Sequence, residues 1–383
     1  MILYYHGERF MVKGKKKFWF ILGIPLFIFY IFAAARPIPR ETIVSPRWLS
    51  SLESAFPVSL VPETAKSAGA DLKAAGNGSI PFRLGDRFGY VDREGHFSIN
   101  RRREGYLEIS DQFWTQYGAA PETIEIRGPR DETALTIEGP EGYPFFLDNQ
   151  IFLIGKERNS LSALDDAGAI RWTYDFAAPL TCIDAAAGRI LTGTIDGTVE
   201  VLDGSGKRLY FFPPGGSRIA VILGCAISRD GRLLGIVSGI DDQRFLVLEQ
   251  FGGAESVEYK VVYHEFLEDG FRRGLIVSFV NNDNWIVFER QGGMGVYETG
   301  TRRSHTLFLD GDIAALDGSG NDGLLFVISS RGARQKRLVM IRLPDRIIAG
   351  APFKSGTAFL NREGTRLYVG GGTTLASFEL EKK

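Results

Sequence analysis

Cysteine and histidine are scarce in this chain of 383 residues, and that scarcity excludes most of the chemistry a protein of its size could carry. Two cysteines, Cys182 and Cys225, cannot build a disulfide framework, and they form no C-x-x-C pair. Four histidines, His6, His96, His264 and His305, are scattered without the spacing of metal ligands. There is no H-E-x-x-H, no G-x-S-x-G elbow and no phosphate-binding P-loop. Charge of one sign is also missing: 45 basic against 46 acidic residues leave a net charge of -1. Nucleic-acid binding therefore has no electrostatic footprint. Amphipathic helical periodicity of useful length is absent as well.

Long uncharged runs are lacking too, with one exception. Residues 18–35, FWFILGIPLFIFYIFAAA, carry no charge and follow Lys13, Lys15, Lys16 and Lys17. As a helix this run reaches about 27 Å, close to the hydrocarbon thickness of a bilayer. Trp19 and Tyr30 fall near its two ends, where aromatic side chains favour the interface. The expectation is a membrane anchor over residues 18–35, with residues 1–17 cytoplasmic. Everything beyond is then extracytoplasmic, in a periplasmic or cell-envelope setting. Two alternatives stay open. Ala33 and Ala35 also fit a cleaved signal peptide, and a buried core helix is the third reading. Residues 36–78, with Pro37, Pro39, Pro46, Pro57 and Pro62, read as a tether.

What the chain has in abundance is glycine, phenylalanine and short β-prone runs. From residue 79 to residue 383 such runs alternate with turn signals. LSALDDAGAIRWTYDF at 161–176 and VEVLDGSGKRLYFF at 199–212 match at a single offset of 38 residues. Asp165 meets Asp203, Gly168 meets Gly206, and Trp172 meets Tyr210. In each copy the Asp caps a turn, the Gly supplies a positive φ, and the aromatic is placed to dock between neighbouring units. A turn-plus-strand signature, assigned to the second strand of each unit, recurs at Phe88, Ile151, Ile190, Leu233, Ile286, Leu324 and Leu367. The intervals are 63, 39, 43, 53, 38 and 43 residues. Four antiparallel strands in about forty residues is the period of a β-propeller blade. The expected fold is all-β, a propeller of seven blades. Eight follows if the hairpin ETIEIRG with TALTIEG, inside the long interval, is a whole blade.

The pair of copies resembles the quinoprotein-type (PQQ-like) propeller repeat, carried here by Ala163, Leu164, Asp165, Gly168 and Trp172, with Tyr210 replacing the Trp in the second copy. Such repeats, like other WD-like repeats, occur in cofactor enzymes and in non-catalytic scaffolds of the BamB type. The enzymes of the class have a vicinal cysteine pair and a calcium site, which this sequence does not reproduce. No cofactor, metal or catalytic residue is therefore assigned. Asp165, Gly168, Trp172, Asp203, Gly206 and Tyr210 are assigned a structural role. The function expected is a membrane-anchored scaffold that binds another protein and no nucleic acid. The alternative is a hydrolase or lyase acting on carbohydrate or peptide at the channel mouth.

Three local expectations follow. Cys182 and Cys225 occupy equivalent first-strand positions in adjacent blades, so they are free thiols separated by a sheet-packing distance of about 10 Å. Arg101, Arg102 and Arg103 tip a hairpin, and the NNDN run at 281–284 is a turn. The last unit holds only three strands, so residues 56–61, FPVSLV, are expected to pair with residues 375–380 and close the ring. Residues 41–45, ETIVS, are the weaker choice for that strand.

Overall fold

A computed structural model of the chain describes residues 42–53, 58–59, 78–252, 257–268 and 270–382. The expected anchor at 18–35 lies outside these residues, and no helix among those described is long and apolar enough to cross a membrane. The described residues form strands and their connections, nearly all within the unit Val44–Leu380.

That unit is built of eight antiparallel sheets. In chain order they are blades I (80–102), II (106–138), III (142–175), IV (180–212), V (222–266), VI (277–308), VII (312–354) and VIII (359–382). Blades II to VII are four-stranded meanders, each strand pairing with the next in sequence. The first strands of adjacent blades lie against one another, as in IV with V, V with VI and VII with VIII. Fourth strands such as Ile170–Asp175 are largely exposed. First strands are thus innermost and fourth strands outermost.

Second and third strands read as near-continuous apolar runs because both of their faces are covered. In blade V, Leu234, Ile236, Leu246 and Leu248 are buried with Leu191, Val199 and Val201 of blade IV in one cluster. Burying each such side chain stabilises the fold by roughly 1.5–3 kcal/mol. The core is therefore divided among the seams between blades.

Five sequence expectations are corrected. There are eight blades, not seven, because the hairpin Thr123–Arg127 with Thr133–Glu138 completes blade II. Phe88 lies on a third strand, not a second. In blade I, Asp92 Oδ1 accepts the backbone N–H groups of Glu94 and His96 at 2.9 and 2.8 Å. Asp165 does the same for Ala167 and Ala169, both at 2.9 Å, between the third and fourth strands of blade III. The three strands of blade I, Ile80–Leu84, Arg87–Val91 and Phe97–Arg102, are hence the equivalents of second, third and fourth strands.

Ring closure uses not residues 56–61 but a segment that includes residues 42–45 of the weaker choice. Strand Thr42–Ser51 lies beside Thr374–Lys382 as the fourth strand of blade VIII, while Val58–Ser59 pairs with its outer side, at Leu49 and Trp48. Thr42–Ser51 contains Pro46, which is tolerated because the pairing with Val58–Ser59 reaches only Trp48 and Leu49, so among the described residues the outer flank at Pro46 needs no ladder bond. The segment also delivers Trp48 and Leu52, 4% and 2% exposed, into a cluster with Tyr368, Leu375, Ile80 and Phe82. Val58 is 61% exposed and offers no comparable burial.

The cysteines are free, but their thiols meet across the IV/V seam instead of standing a sheet spacing apart. The Cys182 thiol and burial together push the Cys225 thiol up. The approach is allowed by Gly193, where a Cβ would lie 2.5 Å from Ile222 and 2.7 Å from Cys182 Sγ. Arg101 and Arg102 end the last strand of blade I instead of tipping a hairpin. Arg101 pairs with Asp131 and lies 5.1 Å over Trp114. Asn281, Asn282 and Asp283 do form a turn, all three at positive φ.

Candidate protein-docking face

In a four-stranded meander, the turn joining second and third strands lies at the same end as the connection to the next blade. Those segments from blades III to VI converge on one rim. They enclose a groove of about 530 Å³. Its floor is Leu180, Thr181, Ile222 and Leu223 from innermost strands and the segments leading into them. Its walls carry Ile195 and Ile219, 55% and 53% exposed, with Ile240 beside them.

These isoleucines are fixed by the backbone. Ile195 N–H donates to Pro179 O at 2.9 Å, and Ile240 N–H to Ile219 O at 3.3 Å. Gly197, at φ 84, lets the turn of blade IV approach the next blade; a Cβ there would lie 2.6 Å from Ala220. Asp241 accepts from the Ser217 hydroxyl, from Arg218 Nε at 2.9 Å and from Ile219 N–H at 3.3 Å. Those donors, Ser217 foremost, hold its carboxyl far below the usual carboxylate range. Thr181 Oγ1 donates into the floor, to Ile222 O at 2.6 Å. Exposed apolar side chains are here held rigidly, and such patches mark interaction sites.

Arginines rim the groove. Arg273 is committed: it makes a two-point pair with Glu289, which is 2% exposed, at 2.6 and 2.9 Å. Arg158 and Arg272 are exposed and have no ion-pair partner among the described residues. The long connection bearing Arg272 is tied down by Gln243, whose side chain donates to Phe271 O and accepts from Phe271 N–H.

The six residues assigned from the repeat lie toward the other end of the blades, at third-to-fourth-strand turns and on outermost strands. Gly168 and Gly206 turn at φ 84 and 81. Trp172 Nε1–H crosses from blade III to donate to Gly204 O of blade IV at 3.0 Å. A Cβ on Gly206 would lie 2.6 Å from the Trp172 ring. Asp203 accepts from the backbone N–H of Ser205 and Lys207 at 2.8 and 3.0 Å. Tyr210 hydroxyl donates to Tyr259 O of blade V at 2.8 Å. The motif residues latch blades together and stand apart from the groove.

Sequence reasoning missed a second set of latches. Asp184 Oδ2 accepts Ile227 N–H at 2.8 Å, and Asp317 Oδ2 accepts Arg362 N–H at 2.7 Å, each bond reaching the next blade. Asn281 uses its whole amide, donating to Leu324 O and accepting from Gly323 N–H. The signal was present, a polar residue near the end of each first strand, but it carries no spacing of its own. Burial pushes the Asp184 carboxyl up to about 6 and that of Glu108 up to about 7. Among the described residues no group of three or more His, Cys, Asp or Glu is placed to hold a metal ion.

Eight meander sheets, joined blade to blade by aromatic and carboxylate latches, define a β-propeller. A family model described as "beta-propeller protein" matches residues 10–383, and the chain belongs to that family. It is 27% identical over 336 residues to an uncharacterized protein of Treponema pallidum (strain Nichols), covering 88% of this chain and 87% of the relative. Among solved structures it is similar in fold to BamB from Moraxella catarrhalis. That match has a TM-score of 0.52 and 13% identity, covering 79% of this chain and 98% of the other. It is likewise similar to the computationally designed Ika8 protein, with a TM-score of 0.55 and 16% identity over 80% and 98% of the two chains.

Proposed function

We propose that this protein is a membrane-anchored, extracytoplasmic scaffold whose III–VI rim binds another protein, in cell-envelope assembly or maintenance. The observation that carries the reading is the groove itself, with Ile195 and Ile219 held exposed over an apolar floor. The occupant is a partner segment presenting an apolar side chain flanked by carboxylates, because Arg158 and Arg272 stand unpaired at the rim. The uncharged run at 18–35 behind a lysine cluster supports the anchor and its orientation. The fold likeness to BamB is consistent with a scaffold and adds nothing about the partner.

A photo-crosslinking residue at Ile195 or Ile219, compared with one at the outer-strand residue Ile347, which is also exposed, tests the docking face in cells. A discrete adduct from the first two positions, lost with Arg272→Glu, is expected. Adducts that do not depend on position would overturn the reading. Protease added to spheroplasts should digest the propeller; complete protection would place it in the cytoplasm.

A further inference from the structure

A second cavity of about 530 Å³ opens at the same end of the blades, beside blade VII, and its chemistry is the reverse of the first. Strand parity decides what faces it. Ser329 pairs with Arg337, Arg337 with Pro352, Arg331 with Gln335, and Gln335 with Lys354. Side chains two residues apart share a face, so Ser329, Arg331, Gln335, Arg337 and Lys354 all project from one side of three strands. Three cations and two neutral hydrogen-bonding groups are thus gathered over one wall. The carboxylate on the wall is Asp310, 3.7 Å from Arg331.

Two features distinguish this wall from an ordinary solvated basic surface. Ser329 is 1% exposed, and its hydroxyl is buried without a hydrogen-bond partner. An orphaned buried hydroxyl is destabilising, so a site that retains one calls for an explanation. Arg337 and Lys354 have no ion-pair partner among the described residues, and Arg337 lies along the backbone of the outer strand, where a Cβ on Gly350 would stand 2.7 Å from its Nε. The stretch 324–354 holds seven basic residues and one acid, in a chain whose net charge is -1.

We infer that this face of blade VII is a binding site for a phosphate group, held by Arg331, Arg337 and Lys354, with the Ser329 hydroxyl and the Gln335 amide completing the donor set. The donors come from three adjacent strands and share one wall of the cavity, so several cationic and neutral donors can engage different oxygens of one phosphate group at once, more than a carboxylate's two oxygens can use. Free phosphate and the phosphodiester of an anionic lipid headgroup offer the same chemistry.

Calorimetry on the full chain in detergent, with inorganic phosphate in one arm and glycerophosphoglycerol in the other, tests the site and separates the two sources. Binding of inorganic phosphate alone assigns a free-phosphate site; binding of the diester assigns a lipid headgroup. No heat from either overturns the proposal. Arg337→Gln should weaken the competent ligand about tenfold or more, and Arg337→Lys should weaken it less. Ser329→Ala gives the discriminating result. A hydroxyl that serves the ligand predicts weaker binding with an unchanged or raised melting temperature. Unchanged binding in Ser329→Ala and in Arg337→Gln alike would overturn the assignment.

Discussion

The seam between blades III and IV and the seam between blades VIII and I use the same latch in different surroundings. At the first, Trp172 on an outermost strand donates its indole N–H to Gly204 O, one residue after the turn aspartate Asp203. At the second, Trp48 on the strand Thr42–Ser51 donates to Arg93 O at 2.8 Å, one residue after Asp92. The first seam joins units that follow each other in the chain; beside its tryptophan it has one short polar contact, Tyr174 hydroxyl donating to Glu200 Oε2 at 2.6 Å, and an apolar cluster of Phe152, Leu161, Leu180 and Ile190. The second joins opposite ends of the chain and is densely reinforced. Arg366 donates to the same Arg93 carbonyl at 2.6 Å, and Arg93 pairs with Glu363 at 3.0 Å. Asn100 donates to Leu52 O, and Leu52 N–H to Thr373 O. The difference teaches what connectivity is worth. Neighbouring blades are held near each other by the chain, whereas the closing strand must overcome the entropy of a very long loop with contacts alone.

The comparison breaks most visibly at Trp48. Trp48→Ala should cost about 3–5 kcal/mol, as for a fully buried aromatic, and Trp172→Ala clearly less, since that ring is half-exposed. Thermal melts of both variants, beside a chain shortened to begin at residue 53, give the ranking. Equal losses at the two tryptophans would show that the seams are energetically alike.

A smaller effect sharpens the first seam. Gly206→Ala places a methyl 2.6 Å from the Trp172 ring at a φ of 81, and should destabilise by roughly 1–3 kcal/mol. In a Trp172→Ala background the same substitution should cost less, because the steric part disappears and only the backbone part remains. A double-mutant cycle with no coupling would mean that the glycine serves the turn alone.

The smallest effect is in pH dependence and lies away from both seams. Glu108 titrates at about 7 in the folded chain, raised from 4.5 chiefly by burial. Its neutral form therefore favours the fold, a contribution complete below about 4.5 and lost as pH rises through about 7. Glu108→Gln should gain stability relative to the parent chain across that window. A melting-temperature difference between the two that does not change with pH would contradict the assignment.

The latch also shows what was legible in the sequence. Blades III and IV could be read directly because Asp-x-x-Gly turns and an aromatic partner repeat at a fixed offset. Blade II could not be read that way, since its corresponding turn is built differently: Gly128 N–H donates to Glu132 O, Asp131 N–H donates to Gly128 O, and Asp131 takes the positive φ of 69 where a glycine was sought. The turn Asp92–Gly95 was visible, yet its strand was assigned one place too early because blade I shows no first strand among the described residues. The closing strand was misplaced for a related reason. Pro46 disfavours a strand locally, and only the burial of Trp48 and Leu52 against a blade from the other end of the chain outweighs it. The docking groove left no trace in the pattern at all. Ile195, Ile219 and Ile240 are ordinary turn and loop neighbours in sequence, and three separate connections must fold before they share a wall.

The closing strand has a consequence for synthesis. It leaves the ribosome among the first ordered segments, and its partner Thr374–Lys382 leaves last. With roughly 300 residues between them at about 5–20 residues per second, Thr42–Ser51 waits on the order of 15–60 s with its edge unmatched. During that interval the nascent chain is a growing arc of blades with two open ends, and Trp48 has blade I beside it but lacks Tyr368 and Leu375 of blade VIII. Until the last strand arrives, another copy's blade VIII can offer the missing edge, so simultaneous synthesis of many chains favours end-to-end exchange over closure.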